Sequence, residues 1–112
     1  MVKISTYWVY IIHCDNDSYY TGYTTDIAKR YQTHVLGTGG CKYTRSFKPV
    51  SLAQCWKITG DKAFAMQIER AIKKLPRAEK LKMIAQPSLL VNDDRIKAVS
   101  KKIRDQCLNR LP

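Results

Sequence analysis

Carboxylates are the scarce side chains in this sequence. Nine Asp and Glu stand against twenty Lys and Arg, which leaves a formal net charge of +11 and a pI near 9.7. A surface of one sign creates a strongly positive potential, so the partner it suits is a polyanion, nucleic acid first. On charge alone a merely soluble surface, an acidic membrane or an acidic protein are the alternatives. Paired cysteines are missing too: Cys14, Cys41, Cys55 and Cys107 are widely scattered and form no C-x-x-C pair. That spacing argues against a metal or redox motif and suits a reduced, cytoplasmic chain. His13 and Cys14 are neighbours, a spacing that points side chains apart on a strand, so they read as packing residues rather than zinc ligands. No apolar run approaches the roughly 20 residues needed to cross a bilayer. Nothing near Met1 reads as a basic stretch followed by a signal-like apolar core. Internal repeats, low-complexity tracts and linkers are missing as well, so the 112 residues are expected to form one domain.

What is present is punctuated clearly. Tyr7 to Cys14 is rich in aromatic and β-branched residues and is followed by the dense turn signal Asp15-Asn16-Asp17-Ser18, so a hairpin returns along Tyr19 to Thr24. Gly22 inside the second arm predicts a close approach of backbone or ligand. Thr25 or Asp26 caps a helix reaching Leu36, with Ile27, Tyr31 and Val35 as its buried stripe and Gly37 as its stop. Arg30 and His34 fall together on the flank of that stripe.

Between Gly37 and Pro49 the chain is glycine-rich and basic. Lys42, Arg45 and Lys48 alternate with Tyr43 and Phe47, a composition suited to a loop that follows a phosphate backbone. Val50 to Thr59 reads as a third strand. Asp61 caps a second helix whose stripe is Phe64, Ile68, Ala71, Ile72 and Leu75, with Glu69 half buried at its edge. Arg77 to Ile84 reads as a short basic helix with Leu81 and Ile84 inward. Ile96, Val99, Ile103 and Cys107 predict a C-terminal helix over Asp93 to Leu111. The expected fold class is therefore α+β: a small three-stranded antiparallel sheet flanked by helices, in the order β-β-α-β-α-α plus a C-terminal helix.

Taken singly, the polar candidates have ordinary explanations. A strand tyrosine usually packs, Arg30 could be a surface charge, and Glu69 could simply pair with Lys73 one turn on. The spacing is what singles them out. Val9-Tyr10-Ile11 on one apolar run, Tyr20-Thr21-Gly22 on the next, Arg30 and His34 on a helix, and Glu69 on a later one resemble the GIY-YIG endonuclease domain. Trp8-Val9-Tyr10 stands in place of Gly-Ile-Tyr and Tyr20-Thr21-Gly22 in place of Tyr-Ile-Gly, keeping both tyrosines and the glycine. From Tyr7 to about Ile84, including Lys42-Tyr43-Thr44-Arg45, the chain is similar to the short stand-alone bacterial members, the YhbQ-like proteins. The resemblance implies a catalytic domain over residues 1–86, with 87–112 as a basic helical extension of it.

It further implies Tyr10, Tyr20, Arg30, His34 and Glu69 as catalytic residues, with Glu69 holding one Mg²⁺ or Mn²⁺. The residue types suit phosphodiester hydrolysis, which needs a deprotonated water, charge neutralisation at the phosphoryl oxygens and help for the leaving oxygen. Tyrosine, with an ordinary pKa of about 10, serves as a base only when nearby cations lower it, and Tyr10 is the preferred candidate over Tyr20. Arg30 would fork onto a phosphate oxygen, and His34 would bond a tyrosine or the phosphate. A lysine that some members place three residues after the second tyrosine is here Tyr23. The five residues are expected to converge on one concave face. The implied activity is metal-dependent cleavage of DNA with low sequence specificity, in repair, recombination or turnover, with RNA as the alternative substrate. A non-catalytic nucleic-acid-binding or adaptor protein is the rival, and a protein partner is compatible with both.

Overall fold

Residues 5–37, 46–91, 93–102 and 104 are described by the structure, a computed structural model. The β-branched and aromatic run at the start forms strand β1, Ser5–Cys14, and the hairpin returns along β2, Tyr19–Thr24. The turn between them closes with the Asp17 amide donating to the Cys14 carbonyl at 2.9 Å. Asp17 sits at φ 63°, a left-handed conformation that Asp tolerates better than most residues. Helix α1, Ile27–Leu36, begins where the Asp26 carboxylate accepts from the Lys29 amide at 3.1 Å. It ends on Gly37 at φ 70°, the left-handed cap that favours glycine. Strand β3, Pro49–Gly60, leads into α2, Lys62–Lys73, capped by Asp61 through the Phe64 amide at 2.8 Å. Helix α3, Arg77–Ala85, and a 3₁₀ turn, Pro87–Leu90, follow.

A fourth strand departs from expectation. Ile96–Ala98, here β4, pairs antiparallel with Trp56 to Ile58, giving a four-stranded sheet in the order β2-β1-β3-β4. The helix predicted from Asp93 is therefore replaced at its start by an edge strand. Of the later residues Lys101, Lys102 and Arg104 are helical, and 105–112 lie outside the described residues. The three-residue spacing of Ile96 and Val99 suits one helix face, but along extended chain it sends side chains to opposite faces. Ile96 accordingly belongs to the cluster of Trp56 and Ile58, whereas Val99 packs against the cluster on the other face that contains Tyr10 and Cys55.

Both faces of the sheet are apolar, and this decides where the helices go. Tyr10, Ile12 and Cys14 of β1 pack against Ile27 and Tyr31 of α1. Val9 and Ile11 face the other way, against Ile68 and Ile72 of α2 and Met83 and Ile84 of α3. Two side-chain bonds hold the segment after α2 on β3: Gln54 Nε2 donates to the Ile84 carbonyl at 3.0 Å, and Trp56 Nε1 to the Pro87 carbonyl at 2.9 Å. The stripes differ in detail from the sequence reading. Ala65, not Ala71, is buried on α2, and Leu81 on α3 is 38% exposed while Met83 turns inward. No helix among the described residues is long and apolar enough to cross a membrane.

Candidate active site

The site begins with a strand register. Tyr10 lies opposite Gly22, Ile11 opposite Thr21 and Ile12 opposite Tyr20, so Tyr10, Tyr20 and Gly22 share one face. Gly22 is the seat of the Tyr10 ring: a Cβ placed there would lie 2.5 Å from Tyr10 Oη and 2.7 Å from its Cζ. The close approach expected at this glycine is thus made by a side chain. Since overpacking a filled core costs about 1–3 kcal/mol, Gly22→Ala is expected to lower unfolding free energy by about 2 kcal/mol in urea denaturation. The displaced Tyr10 ring would lose its bond to His34, described next.

Across the sheet face, Tyr10 Oη and His34 Nε2 are hydrogen-bonded at 2.9 Å, with the two rings edge-to-face at 5.6 Å between centroids. Tyr20 meets the same imidazole edge-on at 5.2 Å. His34 is 0% exposed, not on the flank of the stripe as expected. Its burial first, and the Arg30 guanidinium one turn earlier second, lower its pKa from 6.5 to about 4. The imidazole is therefore neutral at physiological pH and keeps a lone pair on one ring nitrogen. Arg30 opens onto a depression of about 370 Å³ at the end of β2, lined also by Lys29, Thr24, Thr25, Asp26 and Thr33. The hydroxyls and Lys29 beside Arg30 were not singled out from the sequence.

Exposure separates the two tyrosines. Tyr10 is 1% exposed, so water and substrate do not reach its hydroxyl directly, whereas Tyr20 is only partly buried. The preferred base of the sequence reading, Tyr10, is thus the less accessible of the two hydroxyls. Glu69 also departs from expectation. Its helix, α2, covers the face of Val9 and Ile11, opposite the face that carries Tyr10, His34 and α1. There it is 14% exposed and pairs with Lys73 at 3.3 Å. Four of the five residues share a face; the fifth comes from the other side because each apolar face needs its own helix. Helix α2 packs on β1 and β2, and β2 is the outer strand. A group bound at that edge would have α1 on one side and α2 on the other.

Among the described residues no group of three or more His, Cys, Asp or Glu is arranged to hold a metal ion. A single, largely buried carboxylate fits a hard divalent cation that keeps most of its waters, and does not fit a structural zinc. Of the basic loop, Lys48 is exposed and its carbonyl accepts from the Asp15 amide at 2.8 Å; Lys42 and Arg45 lie outside the described residues.

Residues 6–82 match the family described as the GIY-YIG catalytic domain, and the chain belongs to that family. Among its relatives is a UPF0213 protein of Syntrophus aciditrophicus, 41% identical over 83 residues that span 74% of this chain and 94% of the relative. A UPF0213 protein of Oceanobacillus iheyensis is 46% identical over 78 residues, 70% of this chain and 88% of the relative. The solution NMR structure of a UPF0213 protein from Bacillus halodurans is 34% identical, covers 78% of this chain and 94% of its own, and superposes with a TM-score of 0.43.

Proposed function

We propose that this protein is a metal-dependent endonuclease that hydrolyses DNA phosphodiester bonds with low sequence specificity, in repair, recombination or turnover of DNA. The observation that carries the reading is the buried, neutral Tyr10–His34 pair packed against Tyr20 beside Arg30. Tyr20 takes the place next to the reacting phosphate and, as the phenolate formed when its own proton has passed to solvent, accepts a proton from the attacking water. The Tyr10 Oη–His34 Nε2 hydrogen bond fixes the imidazole against which Tyr20 rests. Arg30 forks onto a non-bridging oxygen and lowers the cost of charge developing there. Glu69 would hold one Mg²⁺ or Mn²⁺ at the β2 edge, where such an ion supplies charge stabilisation for the leaving oxygen. The net charge of +11 supplies affinity for phosphate, a contact that carries no base information and so suits cleavage with low sequence specificity.

One observation favours the rival reading, a non-catalytic nucleic-acid-binding protein: Glu69 already has a partner in Lys73 and arrives from the other face. Incubating the purified protein with supercoiled plasmid, single-stranded DNA, branched DNA and RNA, with Mg²⁺, Mn²⁺ or EDTA, decides between them. Nicking of DNA that needs the metal is the expected result. Binding without cleavage of any substrate under either metal would establish the rival, and cleavage of RNA alone would replace the substrate.

A further inference from the structure

The β1–β2 turn gathers cations that the site above does not use. Arg77, the first residue of α3, lies over the Tyr19 ring at 5.1 Å and donates from Nη1 to the Asp17 carbonyl at 2.7 Å. Its Nη2 donates to the Asp17 carboxylate at 3.1 Å, and His13, stacked on Tyr19 at 4.9 Å, meets that carboxylate at 2.8 Å. Beside them lies a cleft of about 160 Å³ lined by Ser18, Tyr19, Arg77 and Lys80. A water occupies roughly 30 Å³ of liquid, so a phosphate group and a few waters fit.

Lys80 is the informative member. It is partly buried, and among the described residues no carboxylate pairs with it: Asp17 is taken by Arg77 and His13, Glu69 by Lys73 and Glu79 by Lys82. Burial first, then the Lys73 charge, lower its pKa below the ordinary lysine range. A partly buried ammonium near Arg77 and Lys73, with no carboxylate paired to it among the described residues, is stabilised by an anion arriving from outside. The backbone of the exposed Lys48 is tied to the same turn, its carbonyl accepting from the Asp15 amide. Position then selects the anion. Tyr19 and Tyr20 are consecutive on the outer strand and point to opposite faces. The cleft is therefore directly across β2 from the tyrosine assigned to the reacting phosphate.

We propose that this cleft binds a second backbone phosphate of the nucleic acid, held by Lys80 and Arg77, so that the strand is gripped around the β2 edge on both sides. The inference rests on the nucleic-acid reading of the Tyr20–Arg30 face, and its test distinguishes the two. Binding of a 20-base-pair duplex in EDTA is followed by fluorescence anisotropy against salt for wild type, Lys80→Gln and Lys80→Arg. Each phosphate contact contributes roughly 0.9 to the slope of log affinity against log salt, so Lys80→Gln should bind several-fold more weakly with a slope smaller by about one. Lys80→Arg should retain both. In wild type, the Lys80 side-chain NMR signal should titrate at a higher pH with the duplex bound than without it, a readout that needs no variant to fold. An unchanged slope in Lys80→Gln, or a Lys80 titration indifferent to DNA, overturns the anchor and leaves the nuclease reading standing. A wild type that binds no duplex overturns the anchor, and if it also cleaves none of the substrates named above with either metal it overturns the nuclease reading as well.

Discussion

Arg30→Ala is expected to cut turnover roughly a hundredfold, a loss near 3 kcal/mol in transition-state stabilisation, with the protein still folded and still binding DNA. Arg30 is partly exposed on α1 and lines the depression at the end of β2, so no core cavity follows its removal. What is lost is a preorganised cation at the phosphoryl oxygens. The same variant carries a second, non-kinetic signature: the Arg30 charge is one of the two causes that hold the His34 pKa down, so that pKa should rise in Arg30→Ala. Glu69→Gln tests the other half of the site. It deletes a charge and little volume, and the Lys73 partner across the i,i+4 pair is half exposed, so the pair it breaks is worth on the order of 0.5 kcal/mol. The variant should fold, bind DNA and lose Mg²⁺-dependent cleavage. Single-turnover cleavage beside anisotropy binding measures both effects; Glu69→Gln cutting as fast as wild type would remove the carboxylate, and with it the metal, from the proposed mechanism.

Much of the fold was legible because local chemistry and the global arrangement agree. Asp26, Gly37 and Asp61 sit at the caps their types suggest, and the Asp15–Ser18 turn alone brings Tyr10 opposite Gly22 and Ile12 opposite Tyr20. The segment from Asp93 was not legible. Ile96 and Val99 satisfy a helix and a strand-plus-extension equally well, and the choice is made by the open edge of β3 at Trp56 to Ile58.

The site was legible by type more than by depth. Residues 27, 31 and 34 are spaced four and three apart, so the burial of His34 beside Ile27 and Tyr31 follows from the helix period, and the polarity of its side chain obscured it. The relative exposure of Tyr10 and Tyr20 has no such local signal. It depends on β1 being an inner strand and β2 an outer one. The side from which Glu69 arrives has none either, because periodicity fixes which face of α2 is apolar but not which face of the sheet that helix covers.

The second large effect is on stability, and it is set by His34. Unfolding free energy should fall by about 3 kcal/mol as pH drops from 7 toward 4, since a folded pKa depressed from 6.5 to about 4 represents roughly 1.4 kcal/mol per unit. The sign follows from proton binding. Between those two values the unfolded chain holds a proton on this imidazole and the folded one does not, so acid favours unfolding; above 6.5 neither form is protonated and the dependence ends. Because His34 is fully buried, solvent screening does little to reduce the effect. The carboxylate of Asp93, lowered to about 2 by its bonds to Arg95, acts in a separate and more acidic window, below 3.8. Urea denaturation at pH 7 and pH 4.5, with a slope of about 1–3 kcal/mol per molar, should show the midpoint falling by one molar or more in wild type. His34→Gln should be less stable at pH 7, having lost the ring that Tyr10 and Tyr20 pack against, and should show a much smaller drop over the same range. Equal drops in the two proteins would mean that the folded His34 pKa is not held below its unfolded value of 6.5, and a Tyr10–His34 pair that stays neutral down to pH 4.5 would have to be abandoned.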